Sequence, residues 1–229
     1  MTPENPQRSR APLLLLADGR FPAGGHAHSG GLEAAVALGT VGDLPALELF
    51  LRGRLRTAGL VAAALAAAAC DPHADWRALD AEADARTPSP AQRDASRRQG
   101  RALLRAARAA WPAAWWLDDL AAGPPAQAGR PHHPVVLGAA AAAGRCAPSD
   151  AALVAAYQSV TGPASAAVRL LSLDPLQVSG LLASLATEID DVALRAAAAT
   201  ATELPYASGP ALDVLAEAHI RAEARLFES

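Results

Sequence analysis

Apolar residues recur along most of the chain at the three- and four-residue spacing of helices, with polar positions between them. From 43 to 70, Leu44, Leu47, Leu51 and Leu55 fall on one face while Arg52, Arg54 and Arg56 mostly fall elsewhere, and the pattern runs on through Leu60 and Leu65 to Cys70. Asp43 is placed to cap this helix and Asp71-Pro72 to end it. The same reading predicts helices over 29–38, 76–86, 90–110, 135–143, 149–162, 175–199 and 210–224. In the 175–199 helix, Leu181, Leu182, Leu185 and Ile189 share a face. Valine, isoleucine and threonine never gather into alternating runs, so no strand is expected. The expected architecture is all-α, a single-domain helical bundle of roughly eight to ten helices. It would occupy 11–229, with a flexible N-terminal arm over 1–10 and a mobile C-terminal tail. No fixed-period repeat is present, which excludes a solenoid.

Three stretches interrupt the pattern. Between 21 and 33 the sequence reads FPAGGHAHSGGLE, placing four glycines, two histidines, a proline and a serine in one turn. Glycine supplies backbone angles there that other residues reach only with strain. Ser29 followed by Glu33 reads as a helix start with a side-chain cap and an acid in the first turn. Trp111 to Trp116 forms an aromatic cluster, WPAAWW, read as a core anchor or, as the lighter alternative, an interface segment. Between 121 and 134, AAGPPAQAGRPHHP reads as a loop. Gly100, inside the long helix, costs roughly 1 kcal/mol relative to alanine, so close packing or a partner contact is expected at it.

Composition removes several functions. A net charge of −3 gives no field to gather nucleic acid or anionic lipid. The chain has no lysine, and with it no Walker A phosphate loop. There is no G-x-S-x-G elbow and no G-x-G-x-x-G after a strand. Cys70 and Cys146 are far apart in sequence and outside any C-x-x-C spacing, so both read as buried thiols. The polar N-terminus makes a poor signal peptide, and the apolar run over 60–70 is too short to cross a bilayer, so a cytoplasmic protein is expected. His26 and His28 form an H-x-H pair that could touch a metal, but two ligands make a weak site and hydrogen bonding within the turn is the heavier reading. His132 and His133 read as a solvated loop pair. His219 and Glu223, four apart, read as a salt-linked surface pair. These residues favour a binding or scaffold protein over an enzyme.

The unusual segments resemble the urease accessory protein UreF family. Its N-terminal motif, D-x-x-x-P-x-G-G-x-x-H-S-x-G-L-E, is matched by Asp18, Pro22, Gly24, Gly25, His28, Ser29, Gly31, Leu32 and Glu33. ASRRQGRALL at 95–104, HPVVLGAAAAAG at 133–144, SAAVRLLSLDPLQ at 165–177 and PALDVLAEAHIRAEARLFES at 210–229 follow in family order. His26, where many members carry an aromatic residue, is a departure.

The resemblance implies an all-α urease maturation factor with no catalytic activity and no cofactor of its own. It implies a homodimer that binds UreD (also called UreH) and recruits the GTPase UreG, which carries the GTP, so that nickel reaches the urease apoprotein. Nickel is then cargo of the complex. Partner binding is expected at Pro22, Gly24, Gly25, His28, Ser29 and Glu33 of the turn, and at His219, Glu223, Arg225, Leu226 and Phe227 of the C-terminus. Phe227, an apolar ring near a free end, suits an anchor. Arg97, Arg98, Gly100 and Arg101 are assigned to packing or to the dimer, not to nucleotide binding. The alternatives are a stand-alone nickel metallochaperone using His26, His28, His132 and His219, and a helical enzyme of unknown chemistry.

Overall fold

The computed structural model describes residues 9–23, 27–122, 130–199, 201, 203–222 and 225–227, and among these every regular element is helical. The elements are α1 (Ala11–Ala17), α2 (Leu32–Ala37), α3 (Leu44–Arg54), a π-helical turn (Leu55–Gly59), α4 (Leu60–Ala68), α5 (Trp76–Ala85), α6 (Pro90–Ala110), α7 (Trp115–Ala122), α8 (His133–Ala143), α9 (Pro148–Leu170), α10 (Pro175–Ser184), α11 (Ala186–Ala197) and α12 (Pro210–Ile220). Residues 1–8 of the arm predicted over 1–10, Gly24, Gly25 and His26 of the turn, residues 123–129 of the loop predicted over 121–134, Glu223, and residues 228–229 of the tail lie outside the described residues.

Helix starts follow the expected chemistry. Asp43 accepts the Ala46 amide at 2.8 Å and Asp75 that of Ala78 at 3.0 Å. Ser89 accepts the Gln92 amide at 3.2 Å while its hydroxyl donates to Glu217 of α12 at 2.6 Å, so two helices share one cap. Helix α9 lies at the centre, against α4, α8 and α11, with α1, α2, α3 and α10 around it. Where these helices meet, Ala63, Ala64 and Ala66 of α4, Ala139 and Ala140 of α8, and Ala152, Ala156 and Ala164 of α9 are fully buried. Small side chains let the backbones approach closely, and leucines such as Leu47, Leu51, Leu55 and Leu137 fill the remaining volume.

Segmentation is finer than the sequence pattern suggested, with twelve α-helices among the described residues. The helix expected over 44–70 is interrupted by the π-turn, where the Thr57 hydroxyl donates back to the Gly53 carbonyl at 2.8 Å. The helix expected over 175–199 breaks at Leu185, where Ser184 donates back to the Leu181 carbonyl at 2.7 Å and helps turn the chain. The one expected to stop at Gly162 instead runs on to Leu170 with Pro163 inside it. The tryptophan cluster divides. Trp111 packs on Phe21 at 6.2 Å, Trp116 donates from Nε1 to the Ala139 carbonyl at 3.1 Å, and Trp115 is 54% exposed at the start of α7. The two cysteines meet in space, Cys70 Sγ lying 3.6 Å from the Cys146 carbonyl, and Cys146 is only half-buried.

Gly100 sits where α6 crosses the entry to α8. A Cβ there would overlap the Pro131 carbonyl oxygen and lie 3.0 Å from the His133 nitrogen, all backbone that cannot swing away. Close approach, not backbone conformation, requires this glycine. Gly100→Ala is expected to lower stability by about 1–3 kcal/mol in urea unfolding, because overpacking outweighs the gain in helix propensity. An unchanged or raised midpoint would refute that packing account.

Candidate functional site

The glycine turn is held by a partly buried guanidinium. Pro163 has no amide hydrogen, so the Ser159 carbonyl one turn earlier in α9 lacks its helical donor. Arg54, the last residue of α3, supplies one. Its Nε donates to the Ser159 oxygen at 2.9 Å and its Nη1 to the Gly30 carbonyl at 2.8 Å. The arginine expected off the core face thus joins α3, α9 and the turn. Burial pushes it down to about 10, and among the described residues no carboxylate lies within ion-pair distance. Gly30 has φ +62, a left-handed conformation, and a Cβ on it would stand 2.8 Å from Arg54 Cζ. Both facts demand glycine.

The turn then feeds the C-terminus. Ser29 is fully buried, and its hydroxyl accepts the Glu33 amide at 3.2 Å, while the residue flanking α2 is Gly31. The Glu33 carboxylate in the first turn of α2 receives the backbone amides of Leu226 at 2.7 Å and Phe227 at 3.0 Å. Below it the ring of Phe227 is buried, with the Arg169 guanidinium 5.5 Å from its centroid. His219 of α12 is also buried, its Nε2 lying 3.2 Å from the Phe227 carbonyl and 3.7 Å from Glu33. His219 is therefore buried where a surface residue was expected, and its expected partner Glu223 lies outside the described residues. Phe227 likewise fills the chain's own core, where sequence suggested little core left for it. Motif residues nearly two hundred positions apart therefore form one site. Its solvent face carries Leu226, 68% exposed, and Arg225, while Pro22 is exposed on the approach to the turn. His28 is half-buried beside it.

A second polar cluster locks α5, α6 and the start of α8, and sequence reasoning missed it. His132 is 1% exposed, not a solvated loop residue. Its Nε2 lies 2.9 Å from Asp84 and its Nδ1 3.0 Å from Ser96, and its backbone amide donates to Asp80 at 2.7 Å. Arg97 bridges the same two carboxylates at 3.0 Å and 2.7 Å and donates to the Arg130 carbonyl at 2.8 Å. Ser, His and Asp in a row resemble a hydrolytic triad, but the Ser96 oxygen also accepts the His133 amide at 3.2 Å, and the imidazole is sealed from solvent. The arrangement is a clamp. Asp80 and Asp84 at helical spacing in α5, with Arg97 four residues after Arg93, were the signal available in sequence. Arg97 serves packing, as expected, and Arg98 pairs with Asp94 of its own helix. Among the described residues no three or more His, Cys, Asp or Glu side chains gather as a metal site would require, and no helix is long and apolar enough to cross a membrane.

A family model described as UreF matches residues 41–186. The chain is 48% identical over 224 residues to a urease accessory protein UreF of Mycolicibacterium vanbaalenii, covering 96% of this chain and 99% of that one. It is 46% identical to a protein of that description from Mycobacterium marinum, covering 96% and 98%, and 45% identical to one from Mycobacterium tuberculosis, covering 96% and 99%. This chain belongs to the UreF family. Both ends of the hook, Glu33 and residues 225–227, lie outside the matched span, so the site joins flanks of the UreF region that only folding brings together.

Glu33→Ala in this UreF-family chain is expected to raise amide exchange at Leu226 and Phe227 ~tenfold or more, since a charge-assisted bond contributes about 1.5 kcal/mol or more. Unchanged exchange would mean that Phe227 alone holds the tail. Acid should also weaken the fold. Burial, with His28 nearby, holds the His133 imidazole down to about 4. The unfolded chain therefore takes up a proton below about pH 6.5 that the folded chain refuses until about 4, and stability drops as pH falls through that window. The urea midpoint of His133→Gln should depend less on pH between 7.5 and 5 than that of the wild type; equal dependence would remove His133 from the account.

Proposed function

We propose that this chain is a non-catalytic urease maturation factor, a scaffold that bridges UreD and the GTPase UreG so that nickel reaches the urease apoprotein. Family membership supports the accessory role, and the relatives' description as urease accessory proteins carries it to this chain. The observation that bears most on mechanism is the hooked tail. Glu33 and His219 hold Phe227 in the core, which leaves Leu226 and Arg225 standing on a fixed base beside the glycine turn. An apolar side chain with an adjacent cation on such a base is a ready anchor for a partner. Ser29, Glu33, His219 and Phe227 position this surface; Pro22, Arg225 and Leu226 meet the partner.

A second copy of the chain completes the scaffold, and the complex acts in the cytoplasm. Nickel is cargo and GTP belongs to UreG, so the chain needs no cofactor of its own. The clamp around Arg97 leaves that arginine no freedom to serve a nucleotide.

Co-purification with UreD and UreG, followed by mass determination, tests the proposal. A defined complex is expected with the intact chain. Deletion of residues 226–229 should abolish UreD binding, and Leu226→Asp should weaken it at least tenfold, about 1.4 kcal/mol. A tail-deleted chain that binds UreD undiminished would refute the anchor, and no complex under any nucleotide or nickel condition would refute the scaffold.

A further inference from the structure

Two cavities flank Arg54, of about 210 Å³ and 490 Å³, and both have His28, Gly30, Arg54, Gln99 and His133 in their walls. The Arg54 guanidinium lies between them, partly withdrawn from water. A charge withdrawn from water is ordinarily met by a counter-charge. Arg54 has none among the described residues. Its two bonds to carbonyl oxygens leave three of its five N–H groups without a bond to any described residue. Gly30 packs closely on one side of the guanidinium, where a Cβ would stand 3.0 Å from both Nε and Nη2, so a ligand would reach its N–H groups from the cavity.

The rest of the larger cavity suits an anion. Arg169 stands exposed at its rim, with no carboxylate in ion-pair distance among the described residues. Asp18, the one acid of this wall among the described residues, is engaged by Arg20 through Nε and Nη2 at 2.8–3.2 Å. Gln99 presents a carboxamide, and His133 a neutral ring with one N–H to donate. A cation would meet two guanidinium groups, which argues against metal in this cavity.

We propose that this cavity binds a small oxyanion, held by the free N–H groups of Arg54 with Gln99 and His133 as further donors. Carboxylate, hydrogen carbonate and phosphate share the required oxygen geometry, and a guanidinium receives any of them in a two-point contact. The inference rests on the cavity alone and stands apart from the accessory role.

The test is calorimetric titration of the full chain at pH 7.5 with phosphate, hydrogen carbonate and acetate separately, at ionic strength fixed with sodium chloride. Saturable binding of at least one anion above the chloride control is expected, and comparison of the three identifies the preferred shape. Gln99→Leu and Arg169→Met, which leave the Arg54 bonds to Ser159 and Gly30 in place, should weaken binding at least tenfold and about threefold. Arg54→Met should abolish it in protein whose circular dichroism remains helical. Absence of binding by the wild-type chain for all three anions would overturn the proposal, as would undiminished binding by Gln99→Leu. Tighter binding of nickel ion alone, lost in His28→Ala with His133→Ala, would replace it with a metal site.

Discussion

A proline inside a buried helix must be compensated. Pro163 deprives the partly buried Ser159 carbonyl of its helical donor, and a carbonyl left unsatisfied when fully buried costs about 1–3 kcal/mol. Arg54 meets that need and at the same time holds the Gly30 carbonyl, so the defect in α9 becomes the anchor for the glycine turn. The π-turn that follows Arg54 at once carries the chain from α3 into α4 against the same segment of α9. Gly30 is the counterpart of this bond, because any side chain there would collide with the guanidinium.

The turn's placement decides what the two termini do. Ser29 orients the first turn of α2, Glu33 of that turn binds the amides of the tail, and the tail closes over His219 and the ring of Phe227. Each step is a hydrogen bond between groups that local sequence leaves unsatisfied. A carboxylate at a helix start is usually explained by its own helix. Here it binds a second segment as well, which ties the N-terminal motif of the family to its C-terminal one.

Apolar and polar regions stabilise the molecule differently. The α4, α8 and α9 contact consists of alanine faces whose gain lies in many small burials and close backbones. The α5 and α6 contact with the start of α8 relies on two aspartates, an arginine and a histidine, all satisfied by one another. Such a network tolerates little substitution, since removing one member leaves the others buried and unpaired. It is also why His132 is sealed while sequence placed it in a solvated loop.

Local chemistry alone determined most of the helices and several of their starts. Asp43, Ser89-Pro90 and Asp174-Pro175 start helices because a side-chain oxygen and a proline satisfy the first turn wherever the segment packs. The N-terminal motif and its kinship with UreF were equally readable, because they reside in residue order. Tertiary structure decided the rest. Helical periodicity counted Arg54 as off-core and Pro163 as beyond a helix end, for each residue's solution is the other. Phe227 read as a free anchor and His219 as a surface pair because their partner, Glu33, lies nearly two hundred residues away. Spacing reports only interactions within a few turns of one helix, whereas these groups are satisfied across helices, where the fold alone sets the distance.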